Sequence, residues 1–172
     1  RLEDDIARNF PQQIAKLTEI IDSYKADIAH YSEHKITDPE QFTMEIGGKV
    51  FTEKKEAGAA LLAVCKDIKS VDAAMDIGNY QGFNMRIQFD GWSKEFILSV
   101  KNEAVSKVHL GADVLGNITR INNLLDSYPE KLSEAQQRLE TVYEQLANAK
   151  EEVGKPFPKE EELNQKLERL SE

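Results

Sequence analysis

The chain has 172 residues, 40% hydrophobic and 31% charged, with a formal net charge of −9; this suits one domain with a proper core, or a small domain with a helical extension, and excludes two full domains. No apolar run is long enough to span a bilayer, and the single cysteine, Cys65, cannot form an internal disulfide. An acidic protein repels phosphate at long range, so a general grip on duplex DNA is disfavoured.

The acidity is uneven. Residues 1–41 carry nine acidic and five basic side chains, 42–111 carry nine of each, and 112–172 carry thirteen acidic and eight basic. A start at Arg1 without a signal peptide reads as an excised piece of a larger protein, and the cysteine usage suits the cytoplasm.

From Phe10 the apolar positions run Phe10, Ile14, Leu17, Ile21, Tyr24, Ile28 and Tyr31, spaced alternately by four and three. That spacing predicts a helix with a heptad seam. Pro11 suits a first helical turn, so "RLEDDIARN" is expected to be a separate or kinked lead-in. Pro39 biases Asp38 away from helix, which ends the segment near "EHKITDPE".

The period then changes to two. Phe42, Met44 and Ile46 alternate with Thr43 and Glu45, and Gly47-Gly48 supplies the positive φ angles of a two-residue hairpin turn. After Thr52, "EKKEAGAALLAVCKDI" places Ala57, Leu61, Val64, Cys65 and Ile68 on one helical face, with small residues that allow close approach to a sheet. In "IGNYQGFNMRIQFDGWSKEFILSVK", Phe83, Met85, Ile87 and Phe89 alternate with Asn84, Arg86, Gln88 and Asp90, and Phe96, Leu98 and Val100 continue the pattern beyond an Asp90-Gly91 turn. "AVSKVHLG" supplies a further short strand, for a sheet of about four or five antiparallel strands.

Helical periodicity resumes after "LGADVLGN". Asp113 is placed to cap a helix carrying Val114, Ile118, Ile121 and Leu125, and Ser127 with Glu130 has the spacing of a capping box for the next one. That helix carries Leu132, Leu139, Leu146 and Val153 at intervals of seven, with Ala135, Val142 and Ala149 between them. Gly154, Pro156 and Pro158 stop it, and Leu163, Leu167 and Leu170 form a last stripe.

The expected fold is therefore α+β: a small antiparallel sheet with one packed helix, flanked by long N- and C-terminal helices that pair as an antiparallel coiled-coil-like stalk. The division is 1–41 (first stalk helix), 42–111 (α+β unit) and 112–172 (C-terminal stalk helices), with the α+β unit at the tip or side of the stalk. The two seams, roughly 33 and 37 Å long at 1.5 Å per residue, match in length.

No catalytic motif is present. The phosphate loop G-x-x-x-x-G-K-S/T is missing, and the glycines of "IGGKVF" precede a strand instead of a helix. His30 and His34 have an i, i+4 spacing but no third ligand nearby, and His109 stands alone. The sequence offers no catalytic, cofactor-binding or metal residue. The remaining candidates for contact are Asn84, Arg86 and Gln88 on the wet face of the strand, with Trp92 and Lys94 at the turn, where an indole could anchor a protein or stack on a base.

Three strings, "EKKEAGAALLAVCKDI", "IGNYQGFNMRIQFDGWSKEFILSV" and "LGADVLGNITRINNLLDSYPEKL" with its helical continuation, carry a family resemblance. The chain resembles a region downstream of the motors in large mobile-element proteins of conjugative transposons and plasmids, which combine a DNA helicase with an adenine-specific DNA methyltransferase. The resemblance implies DNA processing as context, with ATP and S-adenosylmethionine as cofactors of the parent and none in this fragment. Its implied partners are the parent's other domains or a protein partner, with DNA reached through the parent and no membrane. The expected role is a non-catalytic accessory or scaffolding module that positions enzymatic domains. The alternatives are a weak single-strand or junction DNA contact module and a stand-alone coiled-coil interaction domain.

Overall fold

Pro11 sets the geometry of the N-terminus. A proline in a helix lacks the N–H that would bond to residue i−4 and crowds that residue's carbonyl. The computed structural model, which describes residues 1–68 and 74–154, accommodates it with a widened turn. A short helix α1 (Leu2–Asp4) passes through a π-helical turn at Asp5–Asn9 into the long helix α2 (Phe10–His34). The expected kinked lead-in is thus a change of helical pitch without a break.

Beyond α2, Asp38 accepts the N–H of Glu40 at 3.0 Å and starts a short 3₁₀ turn at Pro39–Gln41. The chain then forms β1 (Met44–Ile46), β2 (Lys49–Phe51), α3 (Lys54–Asp67), β3 (Met75–Tyr80), β4 (Phe83–Asp90), β5 (Glu95–Lys101), β6 (Val105–Leu110), α4 (Val114–Asp126) and α5 (Tyr128–Gly154). Gly47 and Gly48 both have positive φ at the β1–β2 turn, as the hairpin requires. Leu163, Leu167 and Leu170 lie outside the described residues.

The sheet is antiparallel with order β2-β1-β3-β4-β5-β6. It has six strands, and the one that the sequence pattern hides is β3, between β1 and β4. A bulge between Asp76 and Gly78 shifts the pairing with β4, so strict alternation never develops along "MDIGNY". Gly78 lies so close to β1 that a Cβ there would meet the Glu45 carbonyl oxygen at 1.8 Å.

The described residues fall into two compact units, one of residues 1–21 with 133–154, the other Asp22–Leu132. In the second unit the predicted alternation is realised. Phe83, Met85, Ile87, Leu98 and Val100 are fully buried on one face of the sheet, with Ala57, Leu61 and Cys65 of α3, Ile118, Ile121 and Leu125 of α4, and Tyr128. Phe83 is the centre of an aromatic cluster, with ring centroids 6.1 Å from Tyr31 and 5.8 Å from Tyr128, both edge-on. The small residues of α3 serve a helix as well as the sheet, since a Cβ on Gly58 would meet the Val114 carbonyl oxygen at 2.3 Å, at the start of α4.

In the first unit the long helices α2 and α5 are in contact. They run antiparallel, because α2 leads toward residue 21 and α5 leads away from residue 133 within one unit. Leu17 and Ile21 of α2 are buried, and on α5 the buried row is Ala135, Val142 and Ala149. Leu139 and Leu146 flank this row half-buried, and Val153 is exposed. The heptad is as expected, but its inner line consists of the small residues.

Three expected caps take other forms. Ser127 donates its hydroxyl back to the Leu124 carbonyl at 2.6 Å in place of a capping box, so α5 follows α4 with one residue between them. Asp113 holds the N-cap position of α4 without a side-chain cap bond, and Glu53, not Thr52, holds that of α3.

Candidate functional site

Strand alternation places Asn84, Arg86 and Gln88 on the face of β4 opposite the core, across from Lys101, Ser99 and Ile97 of β5. Asp76 of β3 gathers two of them. Its carboxylate accepts from Asn84 Nδ2 at 3.1 Å and pairs with Arg86 Nε at 2.8 Å. Both partners of that ion pair are half-exposed, so it contributes modestly to stability. It does occupy the guanidinium that sequence reasoning assigned to a ligand, and Gln88 is left exposed beside the pair.

The hairpin between β4 and β5 carries the other two candidates. Asp90 pairs with Glu95, and Gly91, Trp92, Ser93 and Lys94 form the connection. The Asp90 carboxylate accepts the Trp92 backbone N–H at 3.1 Å and the Ser93 hydroxyl at 2.8 Å. These bonds, Ser93 first, hold the Asp90 carboxyl below the usual carboxylate range. Lys94 closes the turn at φ +55, where glycine or asparagine is usual. The Trp92 indole is 97% exposed on this pinned turn. It does not fold back onto a helix.

Beside the hairpin lies a mainly apolar groove of about 370 Å³. Leu62 and Cys65 of α3, Phe96 of β5 and Leu110 of β6 line it, with Lys94 and Glu95 at its rim. Burial pushes the Cys65 thiol up to about 11, which leaves it a small hydrophobe and not a nucleophile at neutral pH. Glu95 is engaged by His109 Nδ1 at 2.8 Å, so His109 has a structural partner.

A second, polar cleft of about 150 Å³ opens where the segment after α2 meets the β3–β4 turn and the end of α4. Tyr31 donates to Asp126 at 2.7 Å, Lys35 stands 3.4 Å from the same carboxylate, and Tyr80 donates to Asn122 Oδ1. Gln81, at φ +50 in the turn, accepts the Ile36 N–H at 2.7 Å. Burial raises both phenols, Tyr80 to about 12. These groups are turned on one another and stitch residues 35–37 to the core. Sequence reasoning missed this cleft because its members come from four distant segments.

His30 and His34 are both in use. His30 Nε2 donates to the Gly82 carbonyl at 2.6 Å and His34 Nδ1 to the His30 carbonyl at 2.8 Å, with ring centroids 4.2 Å apart. Among the described residues no group of three or more His, Cys, Asp or Glu is placed to hold a metal ion, and no helix is long and apolar enough to cross a membrane.

Comparison of the chain with protein-family models, with curated proteins and with solved structures finds no match.

Proposed function

We propose that this chain is a non-catalytic contact module of a larger DNA-processing protein, of the mobile-element helicase/methyltransferase kind that its sequence resembles. In this reading the β4–β5 hairpin presents Trp92 as an anchor for a protein surface. The observation that carries it is the 97% exposed indole on a turn that Asp90 fixes from two sides. A large aromatic side chain with only two rotatable bonds, carried on a fixed turn in water, is the residue type that dominates protein–protein contacts once covered, because few rotamers are lost on docking. The Asn84 and Arg86 row is secondary, since Asp76 already satisfies both residues.

The test is a pull-down of the helicase and methyltransferase portions of a protein of the resembled kind by this chain. Trp92→Ala is expected to abolish retention and Arg86→Ala to weaken it slightly. Equal retention by all three forms would remove the reading.

A second reading, a weak single-strand DNA contact, is favoured by one feature: Lys94 stands two residues from Trp92 on the same turn, pairing a cation with a stacking surface. Fluorescence anisotropy with labelled single strands at low salt decides it. A salt-sensitive rise that Trp92→Ala removes supports it, and a flat signal eliminates it.

A further inference from the structure

We infer that the partner of Trp92 is the groove of a second copy of this chain, so that the module forms a reciprocal two-fold dimer. The inference rests on the reading of Trp92 as a protein anchor and names the surface it enters. One protomer carries both halves of the contact: an apolar knob that is 97% exposed, and an apolar groove of about 370 Å³ in the size range of side-chain and ligand pockets. They are adjacent in the chain. Trp92 leads at the hairpin tip, and Lys94, Glu95 and Phe96, the next residues but one, form one wall of the groove.

This adjacency selects the symmetry. When knob and hole lie side by side on one patch, a single two-fold axis lets each copy insert into the other at once, and the contact closes as a dimer. A separated knob and hole would propagate head to tail. The rim carries both signs, since Lys66 and Lys94 are exposed and Glu95, though paired with His109 at 2.8 Å, keeps half of its side chain in water, so a two-fold can bring opposite charges together. The lining side chains are apolar apart from Lys66, Lys94 and Glu95, which are exposed to water, so an indole would leave no buried side-chain polar group unpaired. Each buried indole removes about 150–250 Å² of its own surface from water. With the groove walls counted, the contact lies at the small end of specific interfaces, so the dimer is expected to be of micromolar strength.

Trp92 is the only tryptophan in the chain, and its emission therefore reports this contact alone. Sedimentation velocity over a wide concentration range is expected to show twice the chain mass at high concentration, with Trp92 emission shifting to the blue in parallel. Trp92→Ala, which loses the knob, and Leu62→Lys, which charges the groove, should each stay monomeric. Their mixture is the decisive arm. The intact indole of Leu62→Lys can enter the intact groove of Trp92→Ala, so the blue shift should return on mixing and in neither variant alone. A single-mass chain with red-shifted emission at every concentration would overturn the dimer, as would a mixture with no blue shift. If the chain sediments at a single mass while Trp92→Ala still loses the partner in the pull-down, the dimer fails and the anchor stands.

Discussion

Asp27, with no exposed surface on helix α2, accepts the backbone N–H of Ala104 at 2.8 Å in the turn between β5 and β6. The same carboxylate accepts the Glu103 N–H at 2.8 Å and Asn102 Nδ2 at 2.9 Å. One side chain thus satisfies the donors of a whole turn and fixes the β5–β6 hairpin against a helix far away in sequence. Asp27→Ala leaves two partly buried backbone donors without their acceptor and is expected to lower stability by about 2 kcal/mol, with Asp27→Asn less harmful because one acceptor oxygen remains. Urea denaturation followed by far-UV circular dichroism measures both.

Gly58 and Gly78 are fixed by backbone approach. Gly58→Ala puts a methyl against the Val114 carbonyl of α4, and about 1–3 kcal/mol of destabilisation is expected as the helices shift apart. Gly78→Ala meets Glu45 backbone that has less freedom to move, and the loss should be greater. Thermal melts of the two variants against the parent chain check the order.

Two buried tyrosines should respond unequally to loss of the hydroxyl. Tyr80 donates to Asn122, so Tyr80→Phe is expected to destabilise by about 1 kcal/mol. The Tyr128 hydroxyl is buried beside that of Ser106, close enough to be influenced by it but without the geometry of a good hydrogen bond. Tyr128→Phe should therefore cost less than Tyr80→Phe. Equal losses in chemical denaturation would refute the contrast.

Alkaline pH should unfold the sheet unit. Burial raises Tyr80 and Tyr128 to about 12 from 10.0, and Cys65 to about 11 from 9.0. Each folded pKa lies above its unfolded value, so the unfolded chain releases these protons first. The stability they contribute is complete below pH 9 and lost as pH rises through 11 and 12. The urea midpoint should fall over that window, and Tyr80→Phe should flatten the fall.

Trp92→Ala should be silent in stability. An indole 97% exposed buries almost nothing in the fold, so its removal is expected to change the unfolding free energy by less than about 0.5 kcal/mol. A larger loss in calorimetry would mean that the turn depends on the indole.

Period and turn chemistry carried most of the fold. The heptads of α2 and α5, the Gly47-Gly48 hairpin and the alternation of β4 and β5 are all legible in the sequence, because each is a local repeat with one buried side. What stayed hidden has a common cause. The bulge before Gly78 breaks the two-residue period of β3, and Asp27 reads as one more solvated charge near a seam until a distant turn is folded against it. Of the candidate contact residues, strand parity gave the wet-face positions of Asn84, Arg86 and Gln88 directly. It could not reveal Asp76 as the partner of two of them, since their pairing depends on the strand that was missed.

The small-residue line on α5 has a consequence for how the molecule breathes. Among the described residues of the helix-pair unit, only Leu17, Ile21, Ala135, Val142 and Ala149 are buried apolar side chains, and two of these are alanines. Little surface therefore resists the opening of the pair, whereas the sheet unit contains a continuous aromatic and aliphatic core. Backbone amides along α5 beyond Ser133 should exchange with deuterium well before those of β4 and β5, at free energies below that of global unfolding. Such a chain is expected to melt in two steps, and a single transition midpoint would average over them.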